Sequence, residues 1–412
     1  MKTYLIMNTN PDTPLRGYEP LRGAYRAVMI YIATIGTLFT QAQTLSLQDA
    51  LTKAEQNSAQ VQAALLDVDK NKMLEKSAFN LYQPQLLVEA PTGNFYTLGV
   101  QQQFDFPTVY GARKKLLRSQ TGIAEANASL TKAEVRFMIA DLYLQWQTAE
   151  AKVKFYTSQQ TNFNATSEAA VRSFNAGEID FLEKSFAELK AQEVMRQLEL
   201  STAERNAAKQ SMLMYIGADE NSQSDSLGTN LQLSAWGTTT LGTSKIAVAQ
   251  AELTASEQAL KLQKNQNLPG FFLGYMNQGE SNSPLENRFN AGISIPLWFW
   301  HQSASTKAAR LNVEQSQKEL LAVQQQVNQL YISTLALHDA TVTSLGTVRT
   351  TSLLTSKKLA DAALRMKEAG EISLTEYLRL ISEASQTEIA HIELMQQLIQ
   401  SQHQLQFLTS AQ

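Results

Sequence analysis

The placement of proline is the feature that most strongly constrains this fold. The chain has nine prolines in 412 residues, yet none lies between residues 108 and 268 and none follows Pro296. Because proline disrupts the interior of a helix, the two segments without it are able to form very long helices. The prolines at 84–107 and 269–296 bracket two short patches with strand-like alternation. The sequence therefore predicts long helices that carry two β-hairpins.

The same order of features occurs twice along the chain. Each strand-like patch follows a helical pattern, which predicts a helix at about 47–82 before the first patch and at about 245–267 before the second. Each patch also precedes a much longer helical pattern, which is broken once by a similar turn, Ala176-Gly177-Glu178-Ile179 or Ala369-Gly370-Glu371-Ile372. Such self-similarity predicts a tandem duplication. We expect an N-terminal extension and signal peptide at 1–42, a first repeat at 43–216, a crossover segment at 217–244 and a second repeat at 245–412.

The two patches predict four strands, at 85–90, 96–106, 271–278 and 288–297. In the second of these, Leu98, Val100 and Phe104 alternate with Gly99 and Gln101. A period of two with one apolar face suits either a membrane barrel strand or a soluble hairpin lying on a helical core. Four strands are too few to close a barrel, since the smallest known barrels use eight, so the membrane interpretation requires several copies of the chain.

A segment near the N-terminus resembles an export signal. Arg22 and Arg26 precede an apolar stretch at 27–39, and the small residues Thr40 and Ala42 suit cleavage after position 42. The alternative, an internal helix or a membrane anchor, is disfavoured because about 13 apolar residues fall short of the roughly 20 needed to cross a bilayer.

The long helical pattern at 111–174 contains a heptad seam. Large apolar residues recur every seven positions with small residues between them, which predicts close supercoiled packing. The large residues are Leu116, Ile123, Leu130, Phe137 and Leu144, and the small ones are Ser119, Ala126, Ala133 and Ala140. A helix of about 65 residues would be roughly 95 Å long.

Composition excludes several functional classes. A net charge of -3 gives no electrostatic footprint for nucleic acid, and the lack of cysteine excludes disulfides and thiolate metal sites. No catalytic Ser/His/Asp set, phosphate-binding loop or dinucleotide fingerprint occurs, and none of the four histidines has the i, i+4 partner of a helical metal site. We therefore expect no enzyme activity, no cofactor and no bound metal.

Several segments resemble the TolC-like outer-membrane efflux proteins, and the resemblance covers residues 45–409. The shared features are Leu45-Ser46-Leu47-Gln48-Asp49-Ala50-Leu51 at the start of the first repeat, Pro84 and Pro269 before the outer strands, Ser294-Ile295-Pro296-Leu297 entering a long helix, the two glycine turns, and Tyr215-Ile216-Gly217 after a return helix. The short turns are also similar to those of the metal-cation efflux branch.

This resemblance implies a mainly α fold with a small membrane β part. It implies a homotrimer whose strands form one 12-stranded outer-membrane β-barrel and whose helices form a tubular α-barrel in the periplasm. Such a trimer would be a passive exit duct for metal cations or drugs, joined to a periplasmic adaptor and an inner-membrane transporter of the RND type. The alternatives are a periplasmic coiled-coil structural or adaptor protein and the duct of a type I secretion system, although an adaptor would have a single helical hairpin.

The resemblance also implies that both glycine turns face the adaptor. This assigns docking to Arg172, Phe174, Ala176, Gly177 and Glu178 in the first turn, and to Arg365, Ala369, Gly370 and Glu371 in the second. The alternative is that the two glycines only end their helices, for which a left-handed glycine is the usual device.

A gate is implied at the start of the helix after the second turn. The family pattern has carboxylates six and nine residues beyond that glycine; here the sixth is Glu376, whereas the ninth is Arg379. Glu183 has the equivalent sixth position after Gly177. We expect Arg379 to pair with Glu376 in the closed state, although a glutamate in the first turn of a helix also simply favours the helix dipole.

Aromatic residues follow the last predicted strand. Trp298, Phe299 and Trp300 stand together in the sequence, next to His301. Aromatic side chains concentrate at the boundary between bilayer and water. These three residues therefore predict a membrane-interface cluster rather than a ligand site.

Overall fold

The computed structural model describes residues 44–89, 97–217, 222–228, 244–277, 288–295 and 299–409, all within the unit Thr44–Gln412. The predicted signal at 1–42 and most of the crossover lie outside the described residues. The helices are α1 (Leu47–Asn57), α2 (Ala59–Glu75), α3 (Pro107–Asn175), α4 (Phe181–Ile216), α5 (Ser244–Gln266), α6 (Phe299–Thr347), α7 (Leu353–Glu368) and α8 (Leu374–Thr409). The strands are β1 (Thr44–Leu45), β2 (Gln85–Glu89), β3 (Thr97–Phe104), β4 (Gln223–Ser224), β5 (Gly270–Met276) and β6 (Phe289–Ser294).

The first helical segment is divided in two, whereas a single helix at 47–82 was expected. Ser58 ends α1 and begins α2, and its hydroxyl accepts a hydrogen bond from the Val61 N–H at 3.4 Å. Serine is favoured at this position because its side chain satisfies a backbone donor that the helix leaves unpaired. A short 3₁₀ turn, Lys76–Phe79, follows α2.

The long helix α3 is continuous over 69 residues, about 100 Å, and begins with Pro107 at a position that suits proline. Its counterpart after the second hairpin is interrupted: α6 ends at Thr347, and a π-helical turn, Val348–Ser352, leads into α7. The second half of the chain therefore contains a backbone irregularity that the first half lacks at this place.

The main sheet has four antiparallel strands in the order β2-β3-β5-β6. The central β3–β5 pair joins the first half of the chain to the second. Both predicted hairpins are present, and each strand differs by a few residues from its expected bounds; positions 90, 96, 278, 296 and 297 lie outside the described residues.

Two-residue strands make a second connection. β1 pairs in parallel with β4, so the beginning of the described chain is tied to the crossover segment. The Tyr143 hydroxyl of α3 donates to the Leu45 carbonyl at 2.7 Å and accepts from the Asp225 N–H at 3.0 Å. Burial raises the pKa of Tyr143 to about 12, so this hydroxyl keeps its proton throughout the neutral range.

The apolar cores are small and distributed along the helices. One cluster surrounds Trp146, Tyr143, Ile139 and Met212, and others lie near the turns and near the C-terminal end of α8. In the predicted seam, Leu144 is buried, whereas Leu116, Ile123, Leu130 and Phe137 are only half-buried. The most buried residues of α3 occupy a neighbouring face, because the other helices of the chain pack there.

No helix within the described ranges combines the length and the apolar character needed to cross a membrane.

Candidate functional site

The two glycine turns have the same backbone structure. Gly177 has φ +78° and Gly370 has φ +74°. At the first turn, the Gly177 N–H bonds the Phe174 carbonyl at 3.0 Å and the Glu178 N–H bonds the Ser173 carbonyl at 2.9 Å. At the second, the corresponding distances, from the Gly370 and Glu371 N–H groups, are 3.1 Å and 2.9 Å. This pair of hydrogen bonds is the Schellman motif, which requires a left-handed residue at the glycine position.

The predicted docking residues lie mainly in solvent. Eight of the nine are exposed, and Phe174 is half-buried. Phe174 packs against Phe181 with ring centroids 6.3 Å apart, and the Lys184 ammonium lies 5.4 Å from its ring centroid. The guanidinium groups of Arg172 and Arg365 make no ion pair or hydrogen bond with any described residue, so both are available to another molecule.

Two further exposed residues beside the first turn were not predicted from the sequence. Phe181 is 63% exposed and Leu182 is 72% exposed, directly after the helix-capping residue Asp180. Two consecutive large apolar residues in the first turn of a helix were a signal in the sequence. Both enlarge the apolar surface at this turn.

A buried cluster holds the two hairpins together near their turns. Phe163 and Ala187 of the first hairpin pack with Leu378 of α8, and Tyr377 and Ile381 cover this cluster. The start of α8, which carries the predicted gate residues Glu376 and Arg379, is therefore fixed against α3 and α4.

Arg379 and Glu376 form a bidentate ion pair. Arg379 Nε donates to one carboxylate oxygen at 3.0 Å, and a terminal guanidinium nitrogen donates to the other at 2.8 Å. Both side chains are largely exposed, with 58% of Arg379 and 42% of Glu376 accessible. The hydrogen bond from Arg379 holds the pKa of Glu376 below its usual value, and the same bond raises the pKa of Arg379. Glu376 is thus ionised and neutralised within its own chain.

Glu183 lies in the same site, although on the other hairpin. Its carboxylate accepts a hydrogen bond from the Leu374 N–H at 3.1 Å, at the first residue of α8. A second hydrogen bond at the start of α8 runs from the Glu376 N–H to the Ser373 hydroxyl oxygen, at 3.2 Å. Helix N-terminal N–H groups lack partners within the helix and attract negative charge, so Glu183 stabilises the start of α8. The structure thus brings all three predicted gate residues together.

The main sheet has one almost entirely apolar face. The strand register places on this apolar face Leu86, Val88, Leu98, Val100, Gln102, Phe104, Phe271, Leu273, Tyr275, Phe289, Ala291 and Ile293. Eight of its large side chains are between 38% and 72% exposed. An exposed apolar surface of this extent marks a place where lipid or another protein binds.

The opposite, polar face of the sheet carries glutamine, asparagine, serine and glycine with a few large side chains. Phe272 lies opposite Gly292, and a Cβ at that glycine would come within 2.3 Å of the Phe272 ring. Met276 likewise lies against Gly99. On this face, large side chains therefore occupy the space that the facing glycines leave open.

The predicted aromatic cluster is only partly described. Trp298 lies outside the described residues, and only the backbone of Phe299 is described. Trp300, at the start of α6, is 67% exposed. Its position beside the sheet is compatible with a membrane interface, and the role of the cluster stays a prediction.

Arg349 of the π turn contacts the helix that packs against it. Its Nε donates to His391 Nε2 at 3.3 Å, and a terminal nitrogen lies 3.1 Å from Met395 Sδ. Burial lowers the pKa of His391, and the nearby Arg349 lowers it further. His391 is therefore a neutral acceptor at neutral pH. In the described part of the chain, no group of three or more His, Asp or Glu side chains is arranged to hold a metal ion.

No model of a known protein family matches this sequence, and no curated protein sequence matches it. Solved structures match closely in fold. A membrane protein from Pseudomonas aeruginosa has a TM-score of 0.75 at 14% identity, over 89% of this chain and 90% of that chain. The outer membrane protein VceC from Vibrio cholerae has a TM-score of 0.72 at 14% identity, over 88% of this chain and 95% of that chain. The CmeC outer membrane channel of Campylobacter jejuni has a TM-score of 0.71 at 12% identity, over 97% of this chain and 94% of that chain.

The chain therefore has the architecture of an outer-membrane channel. More particularly, this is the TolC-like fold that the sequence resemblance implied, and that prediction is confirmed.

Proposed function

We propose that this protein is the outer-membrane exit duct of a tripartite efflux pump. The observation that carries the proposal is the sheet with one exposed apolar face, joined at one end to very long helices. Along the strands, Leu, Val, Phe and Ile side chains on one face alternate with polar residues on the other. This pattern is typical of a membrane strand that has one face against lipid and the other against water. The fold shared with solved outer-membrane channels supports this assignment.

The edges of the sheet support assembly into a trimer. β2 and β6 are edge strands in the described structure, so each has a row of backbone groups with no partner strand there. In lipid such groups need hydrogen-bond partners, and neighbouring copies of the chain supply them. Three copies of four strands give a closed 12-stranded barrel, and the two halves of each chain act as a tandem repeat around it.

The helices then form a tube in the periplasm, and the glycine turns lie at its inner end. There the exposed turn residues dock a periplasmic adaptor, which in turn contacts an inner-membrane transporter of the RND type. The exposed Phe181 supports docking, as do the guanidinium groups of Arg172 and Arg365, which pair with no described residue. The duct conducts metal cations or drugs passively and performs no covalent chemistry.

The gate lies at the start of α8. In the closed state the Glu376–Arg379 pair locks each chain, and Glu183 holds the start of α8 against the first hairpin. Because each Glu376 is neutralised by its own Arg379, the closed entrance carries little net charge at this level. Opening separates Glu183 from the start of α8.

Cell fractionation and planar bilayers test the proposal together. We expect the processed protein in the outer membrane as a trimer that dissociates on heating, and we expect the purified trimer to conduct ions across a bilayer. Deletion of the gene should raise sensitivity to the exported compounds. Recovery of the processed chain as a monomer soluble without detergent would contradict the proposal and favour a periplasmic coiled-coil protein. Loss of a secreted protein in the deletion strain, with no change in resistance, would favour a type I secretion duct.

A further inference from the structure

The ends of the helices beside the sheet are strongly basic. All four connections between helices and main-sheet strands lie at one end of the sheet, because β2 and β5 begin there and β3 and β6 end there. The adjoining segments are 70–79, 107–118, 258–267 and 299–310. They contain eleven Lys and Arg residues but a single acidic residue, Glu75. We call these eleven residues the basic belt.

The opposite end of the molecule is not basic. The segments around the glycine turns, 162–192 and 356–386, contain eight Lys and Arg residues and ten Asp and Glu residues. The whole chain has 35 basic and 38 acidic residues. The excess of positive charge is thus concentrated next to the apolar face of the sheet.

Most of the basic belt is exposed and lacks an ion-pair partner. Every member except Arg113 is exposed. Within the described residues, ion pairs join Lys70 to Asp67, Lys72 to Glu125 at 3.5 Å and Arg113 to Asp105 at 3.0 Å. The other eight cations form no ion pair there; among them are Lys114, Lys115, Arg118, Lys264, Lys307 and Arg310.

The belt lies on the parts of the helices that are nearest to the sheet. At 1.5 Å per residue, its members lie within about 17 Å of the helix ends that meet the sheet, and long flexible side chains shorten that distance. If the apolar face contacts the hydrocarbon, as the proposed function requires, the belt faces the headgroups of the adjoining leaflet. Clustered lysines and arginines beside a membrane segment attract anionic lipids.

We propose that the basic belt binds the phosphate headgroups of anionic phospholipids in the periplasmic leaflet of the outer membrane. The apolar face binds any acyl chain, so it does not select a lipid by its headgroup. The belt adds this selection, since all its cations except Arg113 are exposed next to the apolar face and eight of them form no ion pair with any described residue. This inference rests on the proposed membrane orientation and extends it to a preferred lipid.

Brominated lipids provide the test. Wild-type protein is reconstituted in bilayers of phosphatidylcholine and phosphatidylglycerol, with either lipid brominated, and tryptophan quenching reports which lipid surrounds it. Trp300, 67% exposed at the start of α6, is a suitable reporter beside the belt. We expect a preference for phosphatidylglycerol of several-fold, decreasing with added salt.

The decisive variant is Lys114→Gln/Lys115→Gln/Arg118→Gln. Clustered lysines and arginines beside a membrane attract anionic lipid, so removing three of them should remove most of the several-fold preference. Lys357→Gln/Lys358→Gln is the matched control, since both lysines are adjacent and exposed but lie on α7 toward the turn. Equal quenching by the two lipids in the wild type, or an unchanged preference in the triple variant, would overturn the inference. So would a triple variant that keeps its lipid preference and instead loses sedimentation with purified peptidoglycan.

Conductance separates this inference from the proposed function. Wild type and triple variant should conduct equally in bilayers of phosphatidylcholine alone. Conduction without lipid preference would reject the belt and leave the duct intact, whereas a wild type that forms no channel would reject the duct itself.

Discussion

Arg379 occupies a position where the TolC-like pattern has a second carboxylate. The resulting bidentate pair with Glu376 is local, because residues three apart lie on the same side of a helix. The geometry is of the kind that arginine supports better than lysine, since the planar guanidinium matches both carboxylate oxygens. At the proposed gate, this chain therefore has a neutral, hydrogen-bonded pair in place of two carboxylates.

Substitution of Arg379 tests the lock. We expect Arg379→Ala to raise the conductance of the closed channel several-fold and to increase leakage of large antibiotics, because Glu376 then loses both hydrogen bonds. Arg379→Lys should give a smaller increase in conductance, since an ammonium group keeps the positive charge but does not match both carboxylate oxygens as the planar guanidinium does. Single-channel recording in planar bilayers measures both. Unchanged conductance in Arg379→Ala would show that the pair does not hold the gate closed.

The same pair predicts how the gate responds to pH. The pKa of Glu376 is lowered, so the pair is fully formed above the ordinary glutamate range near pH 4.3 and is lost only as the pH falls through the lowered pKa. Closed-state conductance should therefore stay constant from neutral pH down to that range.

Residue-level prediction from the sequence worked where contacts are local. The spacing of Glu376 and Arg379 was sufficient to predict their pairing, which the structure contains. The hydrogen bond from Leu374 to Glu183 joins residues 191 positions apart, and it depends on how the hairpins pack. The sequence placed Glu183 in the gate by repeat symmetry alone and did not indicate its role as a cap.

Among the elements, the glycine turns provide a clean test of backbone strain. A Cβ at Gly177 or Gly370 would touch nothing within 4 Å, so any cost of substitution arises from the left-handed backbone alone. We expect Gly177→Ala and Gly370→Ala each to lower the free energy of unfolding by about 1–2 kcal/mol. Thermal unfolding followed by circular dichroism measures the change.

Gly346 is the matched control for these turns. It lies within α6, also has open space around its Cα, and has no positive φ. Gly346→Ala should stabilise the protein by about 0.5–1 kcal/mol, because alanine loses less backbone entropy on helix formation. Destabilisation of similar size at all three positions would contradict the strain argument.

The π turn predicts a pH dependence. Burial and Arg349 lower the pKa of His391, so the folded protein favours the neutral form of this side chain. The contribution of neutral His391 to stability is present above the ordinary histidine pKa near 6.5. This contribution is lost as the pH falls through the lowered pKa, where protonation also removes the acceptor for Arg349. The thermal midpoint of wild-type protein should therefore decrease between pH 7 and pH 5, and His391→Gln should weaken that decrease.

Two other histidines control this experiment. His403 is also expected to contribute, since burial lowers its pKa, and His403→Gln should weaken the decrease independently. His301 is exposed at the start of α6, so His301→Gln should follow the wild type. A pH response that is the same in His391→Gln and the wild type would rule out the π turn as its source.

Elements were predictable to the extent that their signals are local. Proline spacing and the two glycines indicated the long helices and their turns, and Ser58 offered a capping signal that the expected single helix overlooked. The π turn could not be predicted, because Val348–Ser352 has no residue that breaks a helix. In the structure this turn contacts α8 through Arg349.

At the scale of the whole molecule, the two faces of the sheet predict opposite effects of the same substitution. Leu98 lies on the apolar face and is 56% exposed, while Gln101 lies on the polar face of the same strand. A lysine facing lipid costs about 2–4 kcal/mol near the bilayer centre. Leu98→Lys should therefore reduce the amount of assembled trimer in the outer membrane, whereas Gln101→Lys should leave assembly unchanged and alter only conductance.

Heat-modifiable trimers quantified from outer-membrane fractions provide the measurement. Equal trimer levels for Leu98→Lys and Gln101→Lys would mean that the apolar face does not contact lipid.

The global arrangement was only partly predictable from the sequence. Alternation indicated each strand and its apolar side, because that pattern is a property of a single segment. The pairing of β3 with β5 and the short contact between β1 and β4 join distant segments, and no periodicity in either segment specifies the neighbour. The basic belt likewise depends on the fold, because it combines residues from four helix ends that are far apart in the sequence.

The division of β3 between two environments restricts how this strand can vary in length. Removing one residue from its middle would turn every later side chain to the opposite side, so that glutamines would meet the surroundings now facing Leu98 and Val100. Removing two neighbouring residues would preserve the orientation of all the others. Tolerated insertions and deletions in this strand should therefore come in pairs.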